Sequence, residues 1–318
     1  MRWMIGALMA ACTVTAVPAA ELPCPQVRLI TPYPPGGATD VASRLIAERL
    51  EAALKKPVIV ENRAGATGNV GTLAVVTAPA DGCTLLNNAA VIATFTASFS
   101  KLGYDPVADL VPIGGIGITP TMLVTASANP VNNLKELIAW SKSKPDGLNF
   151  STAGYGLLQH LAVEGIAARS GGKFVHVAYK GGAQAVTDLI AERVDLGSFA
   201  AGSVLPLVKE GKLKALALVG EKRSELVPDV PTTAEQGMPG LDAGVHFMLY
   251  APAKTPKDTV AMLSAELRKI VGDPALKQRF INIGYDPTPT SSEDMIAVMR
   301  KTGAEWTPLI KRLNIKLD

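Results

Sequence analysis

Three times along this chain an apolar, strand-like run passes through a glycine turn straight into a helical pattern, and that device leaves few folds open. The first and longest example is Leu29-Ile30-Thr31-Pro32-Tyr33-Pro34-Pro35-Gly36-Gly37-Ala38-Thr39-Asp40. Val41, Leu45, Ile46 and Leu50 follow it at helical spacing. The second runs from Leu148-Asn149-Phe150-Ser151 through Thr152-Ala153-Gly154-Tyr155-Gly156 into a helix carrying Leu157, Leu158, Leu161 and Ile166. The third leads from residues 174–179 through Lys180-Gly181-Gly182 into a helix over residues 183–190. Shorter β-branched or apolar runs at 57–62, 83–86, 122–125, 194–199, 215–219 and 247–250 read as further strands, and residues 260–271, 275–281 and 294–310 as a helical tail. Strands alternating with helices in this way form a parallel sheet covered on both faces.

The device also has a chemistry. Asp40 or Thr39 stands where an N-cap is expected, since a side-chain oxygen there accepts an orphan helix N–H. Gly36 and Gly37 leave backbone N–H groups uncovered, and a helix N-terminus adds partial positive charge, which together make a cradle for a small anion. Such turns sit at the carboxyl ends of parallel strands, where open α/β sheets bind ligands. Lys180 is the one cation flanking the three turns, so a carboxylate would be held mainly by main-chain N–H groups and helix dipoles, with bridging water.

Residues 1–20 have the plan of a secretory leader: Arg2, an apolar stretch from Met4 to Ala11, and Val17-Pro18-Ala19-Ala20 for cleavage after Ala19 or Ala20. Thr13, Thr15 and Pro18 interrupt the run, which argues against a permanent span. Cys12 is a poor lipoprotein site because the stretch before it is short. The reading is an exported chain of about 298 residues, beyond the size at which one core stops growing, so two domains are expected. Its net charge of +3, reduced to +2 without Arg2, is interspersed and contains no basic block, which sets nucleic-acid binding aside. The exported part keeps two cysteines, Cys24 before the first strand and Cys83 at the start of another. If those strands are parallel neighbours the two fall at one end of the sheet, and a disulfide is predicted over two free thiols.

Catalytic chemistry finds little support. His160, His176 and His246 are dispersed, and there is no Gly-x-Ser-x-Gly elbow. Neither His-Glu-x-x-His nor Cys-x-x-Cys occurs, and His160 with Glu164 makes only a lone helix-face pair. Gly65, Gly68 and Gly71 follow a strand but lack the Gly-x-Gly start of a dinucleotide turn. No cofactor and no metal are expected, and an exported hydrolase is the weakest alternative.

In order along the whole exported length, a set of landmarks then resembles one family. They are Pro32-Tyr33-Pro34-Pro35-Gly36-Gly37 with Asp40; Glu61-Asn62-Arg63-x-Gly65-Ala66-x-Gly68; and Pro79-x-Asp81-Gly82-x-Thr84-Leu85-Leu86. Next come Gly154-x-Gly156 with His160-Leu161, and Tyr179-Lys180-Gly181-Gly182 with Asp188 and Val194-Asp195. Pro228-Asp229-Val230-Pro231-Thr232 with Glu235-x-Gly237, and Ala251-Pro252-Ala253-Lys254-Thr255-Pro256, complete the series. The chain resembles the Bug-type periplasmic receptors of tripartite tricarboxylate transporters. The resemblance implies a two-lobed Venus-flytrap fold of the periplasmic-binding-protein type (type II-like), each lobe a mostly parallel sheet flanked by helices, joined by two crossover strands. It places residues 21–124 and 250–318 in one lobe and 125–249 in the other.

The same resemblance implies the function: a monomer that captures a small carboxylate by hinge closure in the periplasm and delivers it to the subunits of a membrane permease. A solute sensor for a membrane signalling protein is the alternative. Carried over by position, ligand donors come from Tyr33, Pro35, Gly36, Gly37, Ala38, Thr39 and Asp40 on one lobe. The other lobe supplies Ala153, Gly154, Tyr155 and Gly156 with Tyr179, Lys180, Gly181 and Gly182. Glu61, Asn62 and Arg63 are expected to brace the fold. Four positions depart from the family: Leu157 stands for a usual Ser or Thr, His246 for Trp, Met248 for Gly, and Cys83 for an aromatic. Cys83 paired with the atypical Cys24 accounts for both at once. Leu157 with Tyr155 suggests a pocket less polar than citrate requires, suited to a monocarboxylate or to an aromatic or long-chain dicarboxylate.

Overall fold

The structure, a computed structural model, describes residues 22–179 and 181–317; the leader at 1–20 and Lys180 lie outside the described residues. The chain begins β1 (Val27–Thr31), α1 (Ala38–Leu54), β2 (Val58–Asn62), α2 (Asn69–Val76), β3 (Thr84–Ala89), α3 (Phe95–Ser98), α4 (Pro106–Asp109) and β4 (Leu110–Thr119). It continues with β5 (Thr121–Ala126), α5 (Leu134–Ser143), β6 (Leu148–Thr152), α6 (Leu158–Ser170), β7 (Phe174–Ala178), α7 (Gly182–Ile190), β8 (Leu196–Ala200), α8 (Ala201–Lys209) and β9 (Leu213–Leu218). The last part is β10 (Val245–Pro252), α9 (Lys257–Val271), α10 (Pro274–Asn282), β11 (Asp286–Pro287) and α11 (Ser292–Arg312). Two sheets result, with strand orders β11-β4-β10-β3-β1-β2 and β7-β6-β8-β5-β9.

Each sheet is buried on both faces, as the near-continuous apolar runs of its central strands require. Successive residues of β1 enter opposite cores: Leu29 packs with Ile46, Leu85 and Leu267, whereas Ile30 packs with Leu86, Phe95 and Tyr250. The second sheet repeats this, with Leu123 and Phe150 on one side and Met122 and Phe199 on the other. Helix ends follow local chemistry where a cap exists. Asn133 caps α5, Asp273 caps α10, and Ser291 with Asp294 forms a capping box on α11.

The two-lobed α/β architecture expected from the sequence is present, with mixed rather than mostly parallel sheets. β1 is parallel to both β2 and β3, but β10 runs antiparallel to β3 and β4, and β5 antiparallel to β8 and β9. The antiparallel members are the crossover strands and their neighbours, whose direction no local residue pattern encodes. The chain changes sheets at Pro120, since all of β5 pairs in the second sheet, and returns with Val245, which pairs with Thr119. The boundaries read at 124/125 and 249/250 therefore fall a few residues late. The tail belongs to both lobes, not to the first alone as the 250–318 assignment has it. Met295 and Met299 of α11 pack in the first lobe, but Trp306, Leu309, Ile310 and then Ile315 lie in the core of the second.

Two further features fix the frame. Cys24 and Cys83, at the entrances to the parallel neighbours β1 and β3, form a disulfide with S–S 2.04 Å and Cα–Cα 6.1 Å. In β4, a Cβ at Gly115 would lie 2.7 Å from the Thr288 carbonyl oxygen, so glycine there lets the segment leading to α11 cross the strand closely. Among the described residues no helix is long and apolar enough to cross a membrane.

Candidate functional site

The turn between β1 and α1 is held shut by one carboxylate. Asp40 accepts hydrogen bonds from the Gly36 N–H (3.0 Å), from Arg44 Nε and Nη2 (3.0 Å each) and from Asn62 Nδ2 (2.9 Å). Asn62 Nδ2 also donates to the Tyr33 carbonyl at 3.0 Å. Burial acts to raise the Asp40 pKa, but the bonds from Arg44, Gly36 and Asn62, with the Arg44 charge, overcome it and leave the group below its ordinary value. Glu61 is held at about 2, first by the Arg28 hydrogen bond, against burial, and then by Arg63. The Glu61-Asn62-Arg63 segment is thus a brace, and Asp40 is part of it.

The N-cap expectation is corrected by the same contacts. Gly37 caps α1 with an extended backbone (φ −75°, ψ 165°) and, being glycine, no side-chain bond, while Asp40 lies inside the first turn with its carboxylate committed to the Gly36 N–H. Thr39 turns inward instead, its hydroxyl 3.3 Å from that of Tyr285. The first intrahelical bond runs from the Val41 N–H to the Gly37 carbonyl. The N–H groups of Ala38, Thr39 and Asp40 precede it, as orphan donors of a helix end do.

On the second lobe the turn after β6 is packed onto two histidines. The Gly156 N–H donates to His160 Nδ1 at 3.2 Å, and the Gly154 N–H to Thr152 Oγ1 at 3.3 Å. Thr152 Oγ1 also lies 2.8 Å from His176 Nε2. The rings of His160 and His176 stack at 3.9 Å between centroids, with Phe150 and Tyr155 against them. Burial, assisted by His160, pushes His176 down to about 4, so its ring is neutral near pH 7. Two of the N–H groups expected to meet a ligand are therefore satisfied within the turn. Leu157 is the N-cap of α6 and offers no side-chain bond, leaving the Leu158 and Gln159 N–H groups as that helix's first-turn donors.

A cavity of about 260 Å³ opens between the lobes, and first-turn residues of both α1 and α6 line it. Of the residues anticipated from sequence, Tyr33, Ala38, Thr39 and Gly156 line this cavity. Pro35, Gly36, Gly37 and Asp40 form the supporting turn beside it, and Ala153, Gly154 and Tyr155 stand behind Gly156. The third turn is more remote. Tyr179 donates to Asp188 at 2.8 Å, and a Cβ on Gly182 would sit 3.9 Å from that of Ala153, so Gly181 and Gly182 flank the second turn. Sequence reading missed Val91, Phe95, Phe247, Tyr285 and Leu317 as lining residues. They come from four separate places in the chain, and no local motif marks any of them. Tyr33 donates to Asn88 Oδ1 at 3.2 Å, and burial lifts its pKa to about 12, so its phenol stays protonated. The lobes also meet beyond the cavity, where a Cβ on Gly202 of α8 would lie 2.9 Å from Gly284 Cα.

This arrangement can hold an anion between two helix N-termini and enclose an uncharged remainder, and known proteins with the same architecture can be compared with it. The sequence profile described as "Tripartite tricarboxylate transporter family receptor" matches residues 42–315. Protein BugT of Bordetella pertussis is 34% identical over 316 residues, covering 95% of this chain and 97% of that protein. Among solved structures, R. palustris Rpa4515 with adipate is 31% identical, covers 91% of this chain and 97% of its own, and superposes with a TM-score of 0.75. MatC (Rpa3494) from Rhodopseudomonas palustris with bound malate is 28% identical, covers 91% of this chain and 99% of its own, and gives 0.72.

Proposed function

The chain belongs to the receptor family of the tripartite tricarboxylate transporters, and from that premise we propose that it captures a small carboxylate in the cleft between its lobes and delivers it to a membrane permease. The observation that carries the reading is the interlobe cavity bounded by the first turns of α1 and α6. Paired helix N-termini supply oriented N–H donors and partial positive charge without any mobile cation. Charge-assisted bonds of that kind contribute about 1.5–3 kcal/mol each, and two or three with burial of the remaining ligand reach roughly micromolar affinity. Relatives solved with adipate and with malate support the carboxylate class.

Binding proceeds by hinge closure. The links at Pro120 and before Val245 let the lobes swing, so that a ligand first held on the α1 turn is then covered by the Gly156–Leu157 turn. The groups that close on the ligand bind and orient it, and no step of bond making is part of the cycle. The leader at residues 1–20 directs the chain to the periplasm, where it works as a monomer on its permease partner. Gly181 and Gly182 support the second-lobe side of the clamp. Native mass spectrometry of protein purified without refolding tests the proposal, followed by calorimetry with the acid it carries. A co-purifying carboxylate that rebinds and shrinks the radius of gyration in solution scattering is the expected result. A bound cation, sugar or amine would refute it.

A further inference from the structure

We infer that this receptor's cleft is built for a monocarboxylate with an apolar body, seated against Val91, Phe95, Leu157 and Leu317; the inference rests on the carboxylate reading above. Two observations carry it. Among the described residues lining the cavity there is no Lys, Arg, His, Asp or Glu. A second carboxylate enclosed there would lose its hydration, and among the described lining residues only the uncharged first-turn donors of α6 would meet it. Leu157 stands at the α6 end where the sequence reading noted that the family usually has a hydroxyl, and the N–H groups of Gly154 and Gly156 are spent on Thr152 and His160. At the α1 end the Thr39 hydroxyl meets Tyr285 and Tyr33 meets Asn88, whereas the α6 end keeps Gln159 and its first-turn N–H groups. The Thr94 hydroxyl, also in the lining, turns back to its own Val91 carbonyl at 2.8 Å.

The C-terminal tail completes the apolar end. The Leu317 N–H donates to the Ser98 carbonyl at 2.8 Å, and Lys316 Nζ to that of Ala97 at 3.3 Å, which ties the tail to α3 beside Phe95. On its other side the tail presses on the second-lobe turn: a Cβ on Gly156 would come within 2.8 Å of Leu317 Cδ2. Leu317 therefore touches both lobes and the cavity, and it carries an apolar wall to where the far end of a ligand must rest.

The test is calorimetry and thermal shift on the exported chain, unfolded and refolded to remove carried ligand. Benzoate, phenylacetate and 4-methylpentanoate are compared with succinate, adipate, malate and citrate, and benzamide serves as the neutral analogue of benzoate. The apolar monocarboxylates should bind at least about tenfold tighter than the diacids, a step that a few apolar contacts supply. Leu157→Ser and Leu317→Ala should each weaken them by about tenfold. Serine is a good N-cap, so Leu157→Ser decides the matter if Leu317→Ala fails to fold. Tighter binding of a diacid or citrate, unaffected by Leu157→Ser, overturns the inference and leaves the carboxylate reading standing. Benzamide binding as tightly as benzoate, or no acid binding at all, overturns both.

Discussion

Replacing Gly37 with valine separates a ligand cradle from a mere turn. The backbone at Gly37 is extended (φ −75°, ψ 165°), a conformation valine adopts freely, and its new Cβ would meet only the Pro34 carbonyl oxygen, at 3.8 Å. The fold therefore has room for the side chain. Valine is a poorer N-cap than glycine, which costs roughly 0.5–1 kcal/mol, or about 1–4 °C in melting temperature for a chain of this size. Ligand binding should suffer far more. An isopropyl group would stand over the first-turn N–H groups of α1, next to the cavity-lining Ala38. Loss of one charge-assisted bond there removes about 1.5–3 kcal/mol, which is roughly a ten- to hundredfold rise in Kd. Calorimetry with the co-purifying acid, beside circular-dichroism melts of the ligand-free protein, reads both quantities. Unchanged affinity at preserved stability would refute the cradle and return Gly36-Gly37 to the role of a tight connection. Gly36→Val is the contrasting control: at φ +86° it strains the backbone and disturbs the N–H held by Asp40, so stability falls first.

Three other expectations concern stability. Breaking the Cys24–Cys83 bridge by serine substitution frees a loop of 59 residues; by loop-closure entropy that costs up to about 4 kcal/mol, or roughly 10 °C in a melt. A melt that serine substitution does not lower would contradict the entropic account. Glu61, held at about 2 against an ordinary 4.5, gives stability that is full above pH 4.5 and drains as pH falls toward 2. Glu61→Gln should flatten denaturant-measured stability across that interval, and an unchanged slope would count against the Arg28 and Arg63 contacts. For His176 the folded value of about 4 lies below the ordinary 6.5, so its contribution is full above 6.5 and declines toward pH 4. Imidazole NMR should find that ring neutral at pH 6, and a midpoint at or above 6.5 would disprove its burial against His160.

The elements that sequence reading found were those with local causes. Strand periodicity, glycine turns and the capped tail helices are written in neighbouring residues, so β1, β6, β7 and α11 emerged close to their true positions. The N-cap of α1 did not, because the rule favouring Asp at that place is local, whereas Asp40 is claimed by Asn62 from the next strand and by Arg44. Strand direction was misjudged where β5 and β10 cross between lobes, since a parallel and an antiparallel buried strand share one apolar pattern. At the site, Tyr33, Ala38, Thr39 and Gly156 were legible because glycine turns announce themselves. Phe95, Tyr285 and Leu317 were not, because each becomes a cavity wall only through contacts with distant chain.

Helix α11 gives the receptor a third tether. Its first half is rooted in one lobe by Met295 and Met299, its second half in the other by Trp306, Leu309 and Ile310. Each such buried side chain resists extraction by about 1.5–3 kcal/mol, so neither half would detach in the proposed closure. Under that closure the helix would flex instead, and the turn ahead of Pro308 is its soft point, because proline cannot donate to the carbonyl four residues before it. The proposed closure would then be read out in the curvature of one rod. A reporter pair placed along α11 on either side of Pro308 would register occupancy without a probe anywhere near the ligand.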